Sequence, residues 1–390
     1  MKVNIEDIEK IQAKNKEVIK LYKGKECIWE KFNICKVQFT ETTIFPYEFK
    51  YIINNNTQTI IANENTIEVP IPLESNIIGL MSNNNRLYSV DMSNLDFKSY
   101  KNCSRLFVND NYIISIDFSN VDFSSNKSCN LMFGGCHRLK EIKGLETLVT
   151  STCTDLSSMF YACLLEGEID LSEWDISNVT TLYRCFSMTR SNNIIIDGTH
   201  NSGIGEITYI KGLENWDTSN CETFESLFDN QCNMQRYDIA NWNTSKVKNM
   251  SNTFRWNHIN LKEIDLSGWD TSNCEDMNCM FRNCYHLEKI KFNFDMIKVA
   301  DLTDVFLNDY RLTTLEGSLK NINVDLDASA CPLTHDSAMV ILNGLANVTD
   351  KKTLKLNSNT YATLSQTEIA NATNKNWDIL SVVYKKPSNI

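Results

Sequence analysis

The sequence IDLSGWDTSN at residues 264–273, followed by MF at residues 280–281, decides the fold of this chain. Variants of it recur about every 26 residues, and eight copies align on a phenylalanine at Phe107, Phe133, Phe160, Phe186, Phe228, Phe254, Phe281 and Phe306. One such unit is too short to bury its own apolar face, so stacked copies must cover one another. The pattern therefore predicts a repeat solenoid, an architecture that usually serves binding or structure rather than catalysis.

Two further apolar columns keep phase with the phenylalanine. Twelve residues before it lie Leu95, Val121, Leu148, Trp174, Trp216, Trp242, Trp269 and Phe294. Four residues before it lie Cys103, Cys129, Leu156, Leu182, Phe224, Met250, Met277 and Leu302. The second spacing is helical, whereas residues around the tryptophans alternate in polarity as in a strand. Each repeat is thus expected to hold a short strand, a turn and one or two turns of helix. Its tryptophans are expected in the core; the alternative is exposed rings that stack on sugars.

One step between phenylalanines, from Phe186 to Phe228, spans 42 residues and holds an insertion near residues 190–209. Insertions in solenoids leave the coil as loops on one face. We therefore expect a protruding contact loop, and the alternative is a tolerated surface insertion. The candidate contact residues of this loop are Asn192, Asn193, Ile195 and Asp197.

The pattern Ile-Asp-Leu-Ser-x-Trp-Asp-Thr-Ser-Asn-x-x-x-Met-x-x-Met-Phe-x-x-Cys-x-x-Leu resembles the BspA-like repeat of bacterial surface proteins. That repeat is a relative of the leucine-rich repeat and also occurs in mycoplasma lipoproteins and phage-encoded proteins. The resemblance covers about residues 90–315. It implies a right-handed, leucine-rich-repeat-like solenoid used for adhesion or assembly, and it carries no catalytic residue over to this chain.

Residues 1–33 differ in character from the repeats. Apolar residues at mostly helical spacing over residues 4–21 predict a short amphipathic helix, and residues 20–30 predict a tight hairpin with a glycine in its turn. The pattern Tyr-x-Gly-x-x-x-x-Trp in this hairpin is similar to an N-terminal segment of bacteriophage tail, fibre and decoration proteins. The resemblance implies attachment to a particle; the alternative is an ordinary packing hairpin. The candidate attachment residues are Tyr22, Gly24, Ile28 and Trp29.

The flanks of the repeat region complete the predicted organisation. Short alternating runs over residues 34–82 predict a small β-rich domain that caps the first coil, because an open coil would expose its core. Residues 83–315 form the eight-copy solenoid. Residues 316–390 predict helix, strand, helix and strand, with Thr334 as an N-cap, as a C-terminal cap or a free-standing binding domain. The predicted fold is an α/β repeat solenoid, leucine-rich-repeat-like, with a small N-terminal β domain and an α+β C-terminal cap.

Composition excludes several classes of function. A net charge of -11 leaves no basic stripe for phosphates, so nucleic acid is not expected as a partner. No stretch of eighteen apolar residues occurs, so no membrane span is expected. The first ten residues lack the apolar core of a secretion signal, which leads us to expect release by another route, such as lysis.

Three residue types remain as candidates for chemistry. The fourteen cysteines form no Cys-x-x-Cys pair, and several follow the repeat, so we expect buried thiols, with disulfides or metal as alternatives. Aspartates recur in two columns, represented by Asp265 and Asp270, and are expected to cap turns, with calcium as the alternative. The five histidines and thirteen glycines form no known catalytic or phosphate-binding motif. We expect no enzyme: no catalytic residue, no cofactor and no metal.

These observations predict a non-enzymatic structural protein of a bacteriophage virion, such as a fibre, decoration or receptor-binding element. Residues 1–33 would attach it to other virion structural proteins, and the solenoid would contact a host surface protein or glycan. Because phage appendages are commonly multimeric, a homo-oligomer is a further expectation. The alternative is an adhesin on the bacterial cell surface, built from the same repeats.

Overall fold

The computed structural model describes residues 10–14, 17–23, 26–29, 32–41, 43–45, 47–72, 76–146, 148, 150–188 and 206–386 of the 390-residue chain. The chain divides into two compact units. Unit 1 comprises Met1–Glu166 and Asp170–Asn178, and unit 2 comprises Gly167–Ile169 and Val179–Ile390. Each unit is a stack of repeat coils, and the predicted leucine-rich-repeat-like solenoid is confirmed.

In unit 1, seven strands come before the first strand that belongs to a repeat coil. They are β1 (Lys10–Lys14), β2 (Glu17–Lys23), β3 (Glu26–Trp29), β4 (Phe32–Phe39), β5 (Tyr47–Ile53), β6 (Asn56–Ala62) and β7 (Thr66–Pro72). β1 and β2 pair antiparallel, with Ile11 opposite Leu21, so the helix expected over residues 4–21 is wrong for both segments. The β-branched residues Ile11, Val18 and Ile19 favour strands, and the pairing gives them a partner that an isolated helix lacks. β2 and β3 form the predicted hairpin, with Lys23 opposite Glu26.

β4 closes the N-terminal edge of the first coils. It pairs antiparallel with β7 and with β8 (Leu87–Asp91), and β8 runs parallel to β9 (Ser115–Asp117), which is parallel to β10 (Glu141–Lys143). β5 and β6 form a separate hairpin that turns through Asn54 and Asn55, at φ 52° and 60°. The small N-terminal β domain is confirmed, and its strand β4 covers a sheet edge that would otherwise be open.

Unit 2 contains two parallel sheets and the described α-helices. Its strands are β12 (Glu206–Lys211), β13 (Glu263–Leu266), β14 (Lys289–Asp295), β15 (Thr314–Lys320), β16 (Leu326–Ala328), β17 (Lys352–Asn357) and β18 (Trp377–Val382), while β11 (Glu166–Asp170) lies where the units divide. β13, β14 and β15 form one sheet, and β16, β17 and β18 form the other. The helices are α1 (His335–Gly344), α2 (Ser358–Tyr361) and α3 (Gln366–Thr373).

The phenylalanine and tryptophan columns form the core of the coils. In unit 1 the rings of Phe107 and Phe133 stack with centroids 6.0 Å apart. In unit 2 Phe254 stacks on Phe281 at 5.7 Å, and Trp242 stacks on Trp269 at 6.2 Å. The Trp269 Nε1–H donates to the carbonyl oxygen of Ile239 at 2.9 Å, which satisfies the polar edge of the ring. The tryptophans of this column lie in the core, as predicted, and offer no surface to a sugar.

The segment around each phenylalanine is a ribbon of turns, and the helical turns expected there are absent from the described repeats. In the coil of Phe254, the N–H groups of residues 250, 252, 254 and 256 donate to carbonyls of the next coil. Intervening N–H groups close four-residue β-turns, such as the one in which the Thr253 N–H donates to the Met250 carbonyl. Asn252 and Trp256 adopt left-handed backbone, at φ 57° and 63°. This alternation aims the carbonyls at neighbouring coils, whereas a helix would use them internally.

A further coil precedes the eight predicted ones. Met81 takes the place of the phenylalanine, 26 residues before Phe107, and its N–H donates to the Leu106 carbonyl at 2.9 Å. Gly79 and Asn83 flank it with left-handed φ of 69° and 61°, as in the later coils. The repeat therefore begins inside the region predicted as a separate domain over residues 34–82.

The four elements predicted beyond residue 315 are confirmed. Thr334 caps α1 by accepting from the Ser337 N–H, and Ser365 caps α3 in a capping box with Glu368. The stack of coils also continues into this region, because β15 runs parallel to β14 and Ile322 bridges Leu345. Ser337 and Leu345 of this module thus belong to added coils with helices in place of turn ribbons.

Candidate functional site

In the coils where the structure describes it, the third residue after the phenylalanine is buried and carries a polar group or a thiol. The thiol of Cys136 donates to the Phe107 carbonyl at 3.0 Å, and that of Cys284 donates to the Phe254 carbonyl at 3.1 Å. The side-chain amide of Asn257 likewise donates to the Phe228 carbonyl at 2.8 Å. These cysteines therefore satisfy backbone groups between coils. The thirteen cysteines whose side chains the structure describes are all buried and free, as the column pattern predicts.

Two aspartates occupy this same column. Asp110 accepts from the Asn84 N–H at 2.5 Å, and Asp309 accepts from the Cys284 N–H at 2.8 Å. Each is fully buried, and the second carboxyl oxygen of each is buried without a hydrogen-bond partner. Burial raises the pKa of both carboxyls well above the usual range. No second acid of this column lies on an adjacent coil, so neither aspartate has a partner carboxyl in the column. We therefore assign both a structural role.

The aspartate columns on the surface cap turns. Asp265 accepts from the Ser267 N–H at 3.0 Å and Asp270 from the Ser272 N–H at 2.9 Å. The hydrogen bonds from Ser272 lower the pKa of Asp270, so its carboxylate is stabilised without an ion. Within the described residues, no group of three or more His, Cys, Asp or Glu side chains could hold a metal. The predicted role of these aspartates as caps of turn N–H groups therefore accounts for the two columns.

The histidines of the repeats bond to backbone carbonyls. The ring of His137 bonds to the Ala162 carbonyl at 3.1 Å. His335 approaches Glu368 at 3.1 Å, and Ser365 also bonds to Glu368, at 2.9 Å. This arrangement places the carboxylate between the serine and the histidine, so the histidine cannot take the hydroxyl proton as a general base. His258 also lies 3.2 Å from the sulfur of Cys232, but that thiol is fully buried and so is not accessible to a substrate.

The aromatic strip of unit 2 is the most distinctive surface of the solenoid. It consists of half-buried rings on successive coils and on the segment after β18, namely Trp256, His258, Tyr285, Tyr310 and Tyr384. Adjacent rings lie 5.5–5.8 Å apart between centroids. Ile259, next to His258, is 40% exposed. Those on the coils follow their phenylalanines by two to five positions, so the repeat brings them to one corner of the coil, where Tyr384 joins them.

Polar groups hold the strip in place. The hydroxyls of Tyr310 and Tyr384 donate to Oδ1 of Asn308 at 2.7 and 2.6 Å. The ammonium of Lys386 lies 5.4 Å from the centroid of the Tyr310 ring. Tyr285 and Tyr310 stack nearly parallel, at 17°, so each ring covers a face of the other. The strip is therefore an ordered surface on which neighbouring rings partly cover one another.

The structure describes only some of the predicted site residues. Tyr22 lies in β2, and Ile28 and Trp29 lie in β3, on the two strands of the predicted hairpin. The residues that lie outside the described part of the chain are Gly24, Asn192, Asn193, Ile195 and Asp197. The aromatic strip was not predicted, although a signal exists: Tyr285 and Tyr310 recur 25 residues apart, each four after its phenylalanine.

Comparison with known proteins gives a family. The family model described as "Mycoplasma protein of unknown function, DUF285" matches residues 74–201 and 201–316, which together exceed half of the chain. Among solved structures, the chain is similar to a leucine-rich repeat protein from Bacteroides ovatus, at 10% identity and a TM-score of 0.33, over 89% of this chain and 98% of that one. No match was found among curated proteins. No helix in the described residues has the length and hydropathy to cross a membrane.

Proposed function

The chain belongs to the DUF285 family of Mycoplasma proteins of unknown function, and from this premise we propose that it is a non-enzymatic protein that binds another protein. The observation that carries this proposal is the aromatic strip. Tyrosine and tryptophan are enriched at the energetic centres of protein interfaces, because their rings bury a large area at low entropic cost. Half-buried rings held by Asn308 are ordered before binding, which lowers that cost further.

The ring orientation favours a protein over a glycan as the partner. A sugar ring stacks on an exposed aromatic face, and the faces of Tyr285 and Tyr310 are covered by neighbouring rings. Partly covered rings together with the exposed side chain of Ile259 suit the irregular apolar surface of a protein. A host surface protein is therefore the preferred partner of the solenoid.

The location that we propose is a bacteriophage virion, with the protein as a fibre, decoration or receptor-binding element. This placement is supported by the likeness of residues 1–33 to phage attachment segments and by the hairpin that β2 and β3 form. In this proposal the hairpin docks on other virion structural proteins, and repeated docking sites on the particle arrange copies of the chain as an oligomer. Nucleic acid and membrane are not among its partners.

The second candidate is an adhesin on the bacterial cell surface. The description of the family, which names mycoplasma proteins, favours this alternative. The aromatic strip would serve the same purpose in both cases, and the difference lies in what holds the N-terminal segment.

The experiment that separates the two locations is fractionation of the native source. Mass spectrometry would quantify this chain in purified phage-sized particles and in bacterial envelopes. The virion proposal expects a fixed stoichiometry in particles, and it expects a chain without residues 1–33 to fold but to be missing from them. Recovery in envelopes alone would contradict the virion proposal and favour the adhesin.

A further inference from the structure

A groove of about 380 Å³ opens across four successive coils of unit 1. Its lining includes Asn83, Arg105, Val108, Leu131, Gly134 and Tyr161. The volume lies within the range of ordinary ligand sites. This groove is distinct from the aromatic strip, which belongs to unit 2.

The groove exists because one coil lacks a side chain. Gly134 directly follows its phenylalanine, and the same position holds Val108 in the preceding coil and Tyr161 in the following one. A Cβ at Gly134 would lie 2.5 Å from Cδ2 of Leu131, so the aliphatic end of Leu131 fills the space nearest the glycine. The floor is therefore apolar, with bulky residues on both sides.

Arg105 brings a positive charge to the groove without a carboxylate partner among the described residues. Two arginines of unit 2 that directly follow their phenylalanines are paired: Arg255 bonds to Asp229 at 2.6 Å, and Arg282 bonds to Asp304 at 2.8 Å. The guanidinium of Arg105 is exposed and adds a positive charge to a chain with a net charge of -11. Its five donors remain available to an anion from outside.

The remaining polar groups of the groove supply more donors than acceptors. The Asn109 side-chain amide donates to Oδ1 of Asn83 at 3.2 Å, which uses the acceptor of Asn83 and leaves its NH₂ group. The hydroxyl of Tyr161 adds a further donor. No carboxylate lines the groove. An acceptor-rich, negatively charged group is therefore the complement of this rim.

We propose that the groove binds an extended peptide segment of a partner protein, with an aspartate or glutamate on Arg105 and an aliphatic side chain on Leu131. Three coil steps of about 4.8 Å give a span of roughly 14 Å, enough for about four residues of extended chain. The aliphatic floor favours such a side chain over a hydroxyl-rich sugar ring, which would leave hydroxyls without hydrogen bonds.

This inference rests on the proposed function as a binding protein and names a ligand class for it. It uses none of the residues of the aromatic strip. The Tyr310→Ala variant is therefore expected to keep peptide binding, even where it loses contact with a partner through the strip.

The test uses the full chain and an array of immobilised pentapeptides. Each peptide with Glu or Asp next to Leu or Val has a matched peptide with Gln or Asn. The acidic members should bind at least about tenfold more strongly than their amide partners, and added salt should weaken that binding. Arg105→Gln should abolish the preference, and Gly134→Val should abolish binding by filling the groove.

The matched control is Arg184→Gln, because Arg184 also lies two residues before its phenylalanine and rests 5.0 Å over the ring of Tyr183. Circular dichroism would verify that all variants fold. The proposal is wrong if acidic and amide peptides bind alike, or if Arg184→Gln reduces binding as much as Arg105→Gln. It is also wrong if oligogalacturonate, a carboxylate-bearing glycan, binds through Arg105 while the peptides do not.

Discussion

Asp309 is a buried acid in a column where the other described coils, apart from that of Asp110, use a neutral amide or a thiol. Its Oδ1 accepts from the Cys284 N–H, whereas its Oδ2 has no partner. Asn257 holds the equivalent place and donates to the Phe228 carbonyl at 2.8 Å. An amide at this position can accept a hydrogen bond from a backbone N–H and donate one to a backbone carbonyl. An ionised carboxylate can only accept.

We predict that Asp309→Asn stabilises the protein at neutral pH by about 1–3 kcal/mol, the usual cost of an unsatisfied buried polar group. Burial raises the pKa of Asp309, so the wild type binds an extra proton when folded. Its stability relative to the variant is greatest below the unfolded pKa of about 4 and declines as the pH rises. Urea unfolding at about pH 4.5, 6 and 7.5 would measure the difference.

The matched control for this prediction is Asp301→Asn. Asp301 accepts from the Thr303 N–H at 2.7 Å, and this hydrogen bonding lowers its pKa. Its contribution is present above the unfolded pKa and is lost as the pH falls, so its pH dependence has the opposite sign. An Asp309→Asn variant that is less stable than wild type at every pH would contradict the account of the column.

At the scale of the element, the turn ribbon depends on residues that accept left-handed backbone. Asn252 has φ 57°, a conformation that asparagine tolerates and β-branched residues avoid. We predict that Asn252→Val destabilises unit 2 by at least about 1–2 kcal/mol, whereas Asn252→Gly stays close to wild type. Thermal unfolding of both variants would measure this, and equal losses from valine and glycine would count against the left-handed requirement.

Local signals explain which elements could be predicted from the sequence. Thr334 and Ser365 predict helices because their side chains can cap the first turn, and the alternation of Ile264, Asp265 and Leu266 predicts strand β13. The ribbon around Phe254 could not be predicted, because a spacing of four fits both a helix and a chain of turns. The choice depends on hydrogen bonds to the next coil. The coil of Met81 was missed because methionine replaces the phenylalanine on which the copies were aligned.

The candidate surfaces were harder to predict than the fold. The aromatic strip needs Tyr285 and Tyr310 on adjacent coils, together with Tyr384 from a segment far along the chain. The groove depends on the absence of a side chain at Gly134, where the neighbouring coils carry Val108 and Tyr161. Periodicity reports the residues that all coils share, and a binding surface is made by residues in which the coils differ.

At the scale of the whole molecule, the C-terminal module completes the stack. α1 packs on β15, and the Ser337 hydroxyl accepts from the Leu315 N–H at 2.9 Å. Removal of residues 321–390 would expose Leu319 and the edge of β15, both now covered. We predict that this truncated chain is insoluble or loses its cooperative unfolding. A soluble truncated chain with an unchanged melting temperature would show that the module is an independent domain.

The central claim is that the aromatic strip binds another protein, and site-specific photocrosslinking tests it most directly. A photoreactive phenylalanine analogue would replace Tyr285 in the full chain, or Glu263 on the exposed face of β13 as the control, in the native source. The account predicts one dominant crosslinked protein from position 285 and none from position 263. Its yield should fall about tenfold or more when Tyr310→Ala is added. No crosslinked protein at position 285, or the same products from both positions, would contradict it.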